Sequence, residues 1–185
     1  VASASELLEV VETLRTTRRL RHQIEDPVTR PIVSELFSNV STLPELQKLL
    51  QFGIEEGGRI ADRASEKLAS LRRQVQVMRI ERKDLLKDLI RRFHSVLQDT
   101  VISERYERPV LALKTGAVDH VVGTIHDTSS SGNTVFIEPK VVIPLGNEIA
   151  KLEAKIYLEE QRLLAYWSSQ ISDNSLSLNH LYQML

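Results

Sequence analysis

The chain has 185 residues, of which 42% are hydrophobic, only 5% aromatic and 26% charged, and its formal net charge is -1. That length allows one ordinary domain or an extended multi-part piece, and the balance is that of long helices rather than of a thick globule. There is no cysteine and no apolar run near bilayer-spanning length, which excludes a disulfide-stapled scaffold and a transmembrane helix and points to a soluble, cytoplasmic protein without a membrane partner. The start at Val1, with no initiator Met and no signal-like segment, reads as an excised part of a larger protein, so further domains are expected.

Taken in order, Ser3 or Ser5 caps a first helix whose apolar stripe runs Leu7, Val10, Val11, Leu14, Leu20 and Ile24, and Asp26-Pro27 stops it. Arg15, Arg18, Arg19 and Arg21 give it a basic cluster, the usual dress of a solvated helix face. A short second helix from Pro31 buries Val33, Leu36 and Phe37. Thr42-Leu43-Pro44-Glu45 reads as a capping box opening a third helix with Leu46, Leu49 and Leu50 inward. Residues 1–57 thus form a helical core segment. Glu55-Glu56-Gly57-Gly58 then breaks the pattern; its paired carboxylates lack a catalytic partner and read as solvated turn residues. No residue receives a catalytic role.

Residues 58–99 read as one ascending helix, and some forty residues at 1.5 Å each would reach on the order of 60 Å. Between Arg59 and Gln98, eleven Lys and Arg stand against five Asp and Glu, a local +6. A basic helix in an acidic frame is either an electrostatic footprint for nucleic acid or a solvated lever with intrahelical pairs, such as Asp84 and Asp88 near Lys87 and Arg91. Its seam, Leu68, Leu71, Val75, Met78, Arg82, Leu85 and Leu89, alternates three and four apart, and Ile149, Leu152, Ile156, Glu159, Leu163 and Tyr166 repeat the spacing in residues 145–185. Arg82 and Glu159 are the exceptions. Antiparallel packing with Leu89 opposite Leu152 would bring them together as a register-fixing pair; the alternative is that both snorkel out of the seam.

Between these helices, residues 100–144 carry β-branched runs at Val110–Lys114, His120–Ile125 and Thr134–Ile137, with a shorter strand near Val101 turning back at about Glu104 and Arg105. Thr128-Ser129-Ser130-Ser131-Gly132-Asn133 is a polar hairpin loop in which Gly132 and Asn133 suit positive φ. It either offers hydroxyls and backbone N–H groups to phosphates or serves turn geometry alone. His120 and His126 would share a strand face, but no third ligand accompanies them and no metal is assigned. Glu138-Pro139 ends the last strand, Pro144 and Gly146-Asn147 mark the entry to the returning helix, and Ser172 to Ser175 precede a final helical piece holding Leu178, Leu181 and Leu185. The fold class is mainly α: a helical core and a long antiparallel lever pair interrupted by a small antiparallel β clamp module.

The blocks GRIADRASEKLASLRR, RYERPVLALK and GTIHDTSSSGNTVFIEPKVVIPLGN, in that order over Gly58 to about Leu164, resemble the MutS type II proteins, the second bacterial branch of the MutS superfamily, and His-Asp-x-Ser-x-Ser-Gly-x-Thr is the most specific part. Ser103-Glu104 stands where family members often have Asn-Gly, and Gly146-Asn147 where many have two Asn. The resemblance implies a core, lever and reduced clamp lying before an ABC-type ATPase domain that carries ATP and Mg. It implies levers of a homodimer closing on DNA, the clamps touching backbone without reading bases. It implies a role on branched DNA in recombination suppression and DNA repair or, alternatively, as an rRNA-binding arm that splits collided ribosomes. The parent would be an ATPase, with or without a carboxy-terminal Smr nuclease-like domain. This chain has no Gly-x-x-x-x-Gly-Lys-Ser/Thr and so is not the ATPase; it is expected to bind no cofactor and to catalyse nothing. For phosphate contact the candidates are Lys114, His126, Ser129, Ser130, Ser131, Asn133 and Lys140, with Arg72, Arg73 and Arg79 along the lever. A structural coiled-coil spacer is the third reading.

Overall fold

A computed structural model describes residues 1–24, 29, 31–32, 35 and 41–184. The chain is mainly helical with one small sheet: α1 (Ala4–Ile24), α2 (Pro44–Gly53), α3 (Glu66–Arg92), β1 (Ser103–Arg105), β2 (Arg108–Lys114), β3 (Gly123–Thr128), β4 (Thr134–Pro139), α4 (Ile143–Asp173) and α5 (Ser175–Met184). It divides into two compact units, Val1–Ala69 with Tyr157–Leu185, and Ser70–Ile156.

In the first unit, α1 opens on a complete capping box. Ser3 Oγ accepts the Glu6 N–H, while the Glu6 carboxylate accepts both the N–H and the hydroxyl of Ser3. Those bonds, the backbone one foremost, hold the Glu6 carboxyl below its ordinary range. Leu7, Val11 and Leu14 are buried at helical spacing, and α1 packs on α2, where Leu46 and Leu50 face inward. Two expectations change here. Thr42 makes no capping bond; the residue before α2 is Leu43, left-handed at φ 39°, and Pro44 occupies the first turn, where its missing N–H costs nothing. The short helix expected to bury Val33, Leu36 and Phe37, and the Asp26-Pro27 stop, fall outside the described residues.

Gly57 and Gly58, at φ 137° and 75°, close the turn that pairs Ile54 with Ile60, as the paired glycines imply. After a 3-10 turn at Asp62–Ala64, Ser65 caps α3 by accepting the Leu68 N–H. The ascending helix therefore has 27 residues, about 40 Å, rather than forty residues and 60 Å. The glycine turn and the 3-10 turn consume its expected start, and the Ser95–Gln98 stretch joins the sheet instead of continuing the helix. The expected intrahelical pairs Asp84–Lys87 and Asp88–Arg91 are present.

Glu159 on α4 is 2% exposed, and its carboxylate is held by the Ser65 hydroxyl at 2.9 Å, by Lys67 Nζ at 3.0 Å and by Arg162 Nη2 at 2.7 Å. Every partner lies in its own unit, so the expected Arg82–Glu159 pair gives way to this cluster. The seam residues explain why. Leu152 and Ile149 share a cluster with Leu71 and Val75, while Leu85 and Leu89 pack against the sheet. The helices thus meet roughly two heptads away from the expected register, a slip that a seven-residue repeat leaves open because it preserves every buried face. Arg79, 2.6 Å from Glu153, forms an ion pair that links α3 to α4 in the second unit.

The second unit carries the sheet, of order β1-β2-β4-β3 and antiparallel throughout. Leu111, Leu113, Val135 and Ile137 alternate onto one face and bury against Leu86 of α3, Leu97, Val121 and Val142. The β1–β2 hairpin turns at Tyr106 and Glu107, not at Glu104 and Arg105, and both residues sit at positive φ, 50° and 63°. That is the geometry a two-residue hairpin demands and glycine or asparagine normally supplies. His120 ends the 3-10 turn Thr115–His120 rather than lying on a strand, so the two imidazoles do not share a strand face.

Candidate nucleic-acid interface

At one end of the β2–β4 ladder, Lys114 lies opposite Thr134, and the loop Ser129–Asn133 caps the β3–β4 hairpin. The loop is built by its own polar groups. The Ser129 N–H donates to the Thr134 carbonyl, Ser129 Oγ accepts the Thr134 N–H at 3.0 Å, and Gly132, at φ 73°, donates its N–H to the Ser129 carbonyl. Thr115 Oγ1 donates to the Gly132 carbonyl at 2.5 Å, and the Thr115 N–H donates to that of Asn133, tying the loop to the end of β2. Asn133 does not adopt the positive φ expected of it; Gly132 alone absorbs the reversal.

The candidate residues separate on this frame. Ser130, Ser131 and Asn133 are exposed on the loop, and the Lys114 ammonium, exposed beside them, donates to the Ser95 carbonyl at 3.0 Å. Ser129 is committed to the turn. Lys140, also exposed, follows the far end of β4, roughly 20 Å along the strand from Thr134. Arg73 is exposed on α3, Arg79 is paired with Glu153, and Arg72 is half-buried and engaged within the chain. The ladder thus gathers Lys114, Ser130, Ser131 and Asn133 at one end and leaves Lys140 and the lever arginines elsewhere.

His126 belongs to another constellation. It is the extra residue of a β-bulge between Ile125 and Asp127, and the bulge turns its Nε2 to within 2.9 Å of Glu138 Oε2. Glu138 is 2% exposed; its Oε1 lies 3.4 Å from Arg108 Nη1, and Arg108 also donates to Asn147 Oδ1 at the start of α4. A Cβ at Gly146 would meet the tip of the Arg108 guanidinium, so a larger residue there requires that side chain to shift. Asp127 accepts from Arg105 Nε at 3.0 Å, and the Arg105 guanidinium stacks over the Phe136 ring at 4.0 Å. Sequence reasoning missed Arg105, Arg108, Glu138 and Thr115. A glutamate followed by proline at the end of an apolar strand, with two arginines flanking the hairpin turn, was the available signal.

No helix among the described residues is long and apolar enough to cross a membrane, and no cluster of three or more His, Cys, Asp or Glu among them could hold a metal ion. No protein-family model matches the chain. Curated proteins do. The chain is 37% identical over 176 residues to a protein of Synechocystis sp. named Endonuclease MutS2, 34% over 178 residues to one of the same name from Pelotomaculum thermopropionicum, and 34% over 185 residues to one from Streptococcus sanguinis. Each match takes in 95% of this chain but only 21%, 23% and 24% of the relative, so the chain spans less than a quarter of the length of these proteins.

Proposed function

We infer that this segment, which belongs to the MutS type II family, is the lever-and-clamp part of its parent and grips the backbone of DNA without reading its bases. The observation that carries the reading is the end of the β2–β4 ladder, where Lys114 and the exposed side chains of Ser130, Ser131 and Asn133 converge on a loop held by its own hydrogen bonds. A cation beside short hydroxyl and amide side chains suits phosphate oxygens and carries no base-specific donor pattern. The loop is held by Ser129, Gly132 and Thr115, and the Ser131 hydroxyl, 3.3 Å from Ser129 Oγ, is positioned by the same network. α3 and α4 deliver the strands, so movement of these helices would carry the loop toward or away from a bound duplex. ATP and Mg chemistry, any nuclease activity and the homodimer contacts that close two such arms are assigned to the rest of the parent protein. Branched DNA and suppression of recombination are the proposed setting.

The test is a titration of the chain against linear and branched duplex DNA at two salt concentrations. The reading expects sequence-independent affinity that falls as salt rises, and loss of at least tenfold in the combined variant Lys114→Ala, Ser130→Ala and Ser131→Ala. Affinity unchanged in that variant would make the β module a structural spacer.

A further inference from the structure

Arg82, the cation that interrupts the apolar seam of α3, lines a cleft of about 900 Å³ between α3, the β1–β2 hairpin and the first turns of α4, all within the second unit. It is half-buried. The other cations of the cleft are differently placed: Arg79 is paired with Glu153, and Arg108 is held by Glu138 and Asn147. Arg82 and its neighbour Lys83 have no carboxylate partner among the described residues. A half-buried guanidinium without a counter-ion is a standing electrostatic demand, because it has lost hydration and gained nothing in return. The lining mixes apolar residues, among them Leu86, Pro109, Ile149 and Ala150, with the charged side chains of Arg79, Glu104, Glu107, Arg108 and Glu153. At the rim the turn holds Tyr106, 79% exposed, and Glu107 in the left-handed region.

We propose that this cleft binds one nucleoside monophosphate unit, its phosphate on Arg82 and Lys83 and its base against the exposed ring of Tyr106 and the neighbouring Pro109. The volume lies in the range of small-ligand pockets. Glu104 and Glu107 stand on the hairpin rim. They accept hydrogen bonds from ribose hydroxyls or an exocyclic amine, and they repel additional phosphates, so a monophosphate is preferred over a triphosphate. The unit comes either from a free nucleotide or from an unpaired strand. The site shares no residue with the loop Ser129–Asn133 and stands independently of the duplex-binding reading.

Calorimetric titration of the chain with AMP, adenosine, ATP and a short oligothymidylate tests it. The expected result is saturable AMP binding at least tenfold tighter than adenosine and tighter than ATP, weakened at least tenfold by Arg82→Gln and severalfold by Tyr106→Ala. Lys114→Ala and Ser130→Ala should leave it unchanged, and circular dichroism of Arg82→Gln should show the helix content retained. Oligothymidylate binding that needs Arg82 and is displaced by AMP assigns the unit to an unpaired strand; AMP binding alone assigns it to a free nucleotide. No saturable binding of either probe, or binding indifferent to Arg82→Gln, or ATP bound as tightly as AMP, overturns the proposal. Duplex affinity, read in parallel, is expected to be untouched by Arg82→Gln, so the two readings fail separately.

Discussion

Gly53, at the end of α2, shows how far one side chain can constrain a packing contact. A Cβ there would overlap the Trp167 indole, which is buried against it. Gly53→Ala should therefore lower stability by about 1–3 kcal/mol through overpacking, although alanine is the better helix former, and a reduced urea midpoint is the measurement. Glu107 is the opposite case, a side chain that the backbone would rather lack. Its φ of 63° costs a non-glycine residue on the order of 1 kcal/mol, so Glu107→Gly should raise the urea midpoint slightly, net of the flexibility glycine adds to the unfolded chain. Glu159 ties a residue to pH. Its hydrogen bonds from Arg162, then from Lys67 and Ser65, outweigh burial and hold its carboxyl down to about 2, and the same contact raises Arg162 above its ordinary value. Because the folded value lies below the ordinary 4.5, the contribution is complete above about pH 4.5 and is lost as pH falls toward 2. Glu159→Gln should therefore destabilise the chain at neutral pH and flatten the pH dependence of its unfolding midpoint across that window.

At the scale of elements, the start of α3 concentrates more than its sequence suggests. Ser65 both caps the helix and donates to Glu159, so Ser65→Ala removes a cap and one of three donors to a buried carboxylate. A loss of about 1–2 kcal/mol is expected, with the effect of Ser65→Ala reduced in a Glu159→Gln background because the two groups act together. Helix existence was legible along the chain: apolar spacing marked α1, α3, α4 and α5, and the buried residues Leu7, Val11, Leu14, Leu68, Leu71, Val75, Leu152 and Leu163 are those the spacing selected. Strand existence was legible too, from β-branched runs. Helix register was not, since heptad spacing repeats itself and cannot say which leucine meets which. Nor was the hairpin turn, because Tyr106 and Glu107 are not turn formers and adopt positive φ only under the pairing of β1 with β2.

For the whole chain, the decisive measurement is salt dependence. If the loop end of the sheet contacts backbone, the logarithm of duplex affinity should fall linearly with the logarithm of salt, with a slope of about -0.9 per phosphate neutralised, and Lys114→Ala should shallow that slope by about one. Of the candidate contacts, the polar loop and Lys114 were legible because a serine-rich turn between β-branched runs announces a hairpin tip. His126 was read as a phosphate ligand, while the bulge directs it to Glu138; a bulge arises from the mismatch of two paired strands and leaves no mark in either alone. The sequence by itself determined the mainly helical class, the small inserted sheet, many of the buried helix residues and the resemblance to the MutS type II proteins, because periodicity and motif are local properties of the chain. Tertiary structure decided the surroundings of the buried and half-buried charges among the described residues. Arg82 faces a cleft instead of Glu159, Glu159 faces Ser65, Lys67 and Arg162, and Glu138 gathers His126 and Arg108. An ion pair depends on distance, and distance between remote residues follows from a register that local patterns leave free.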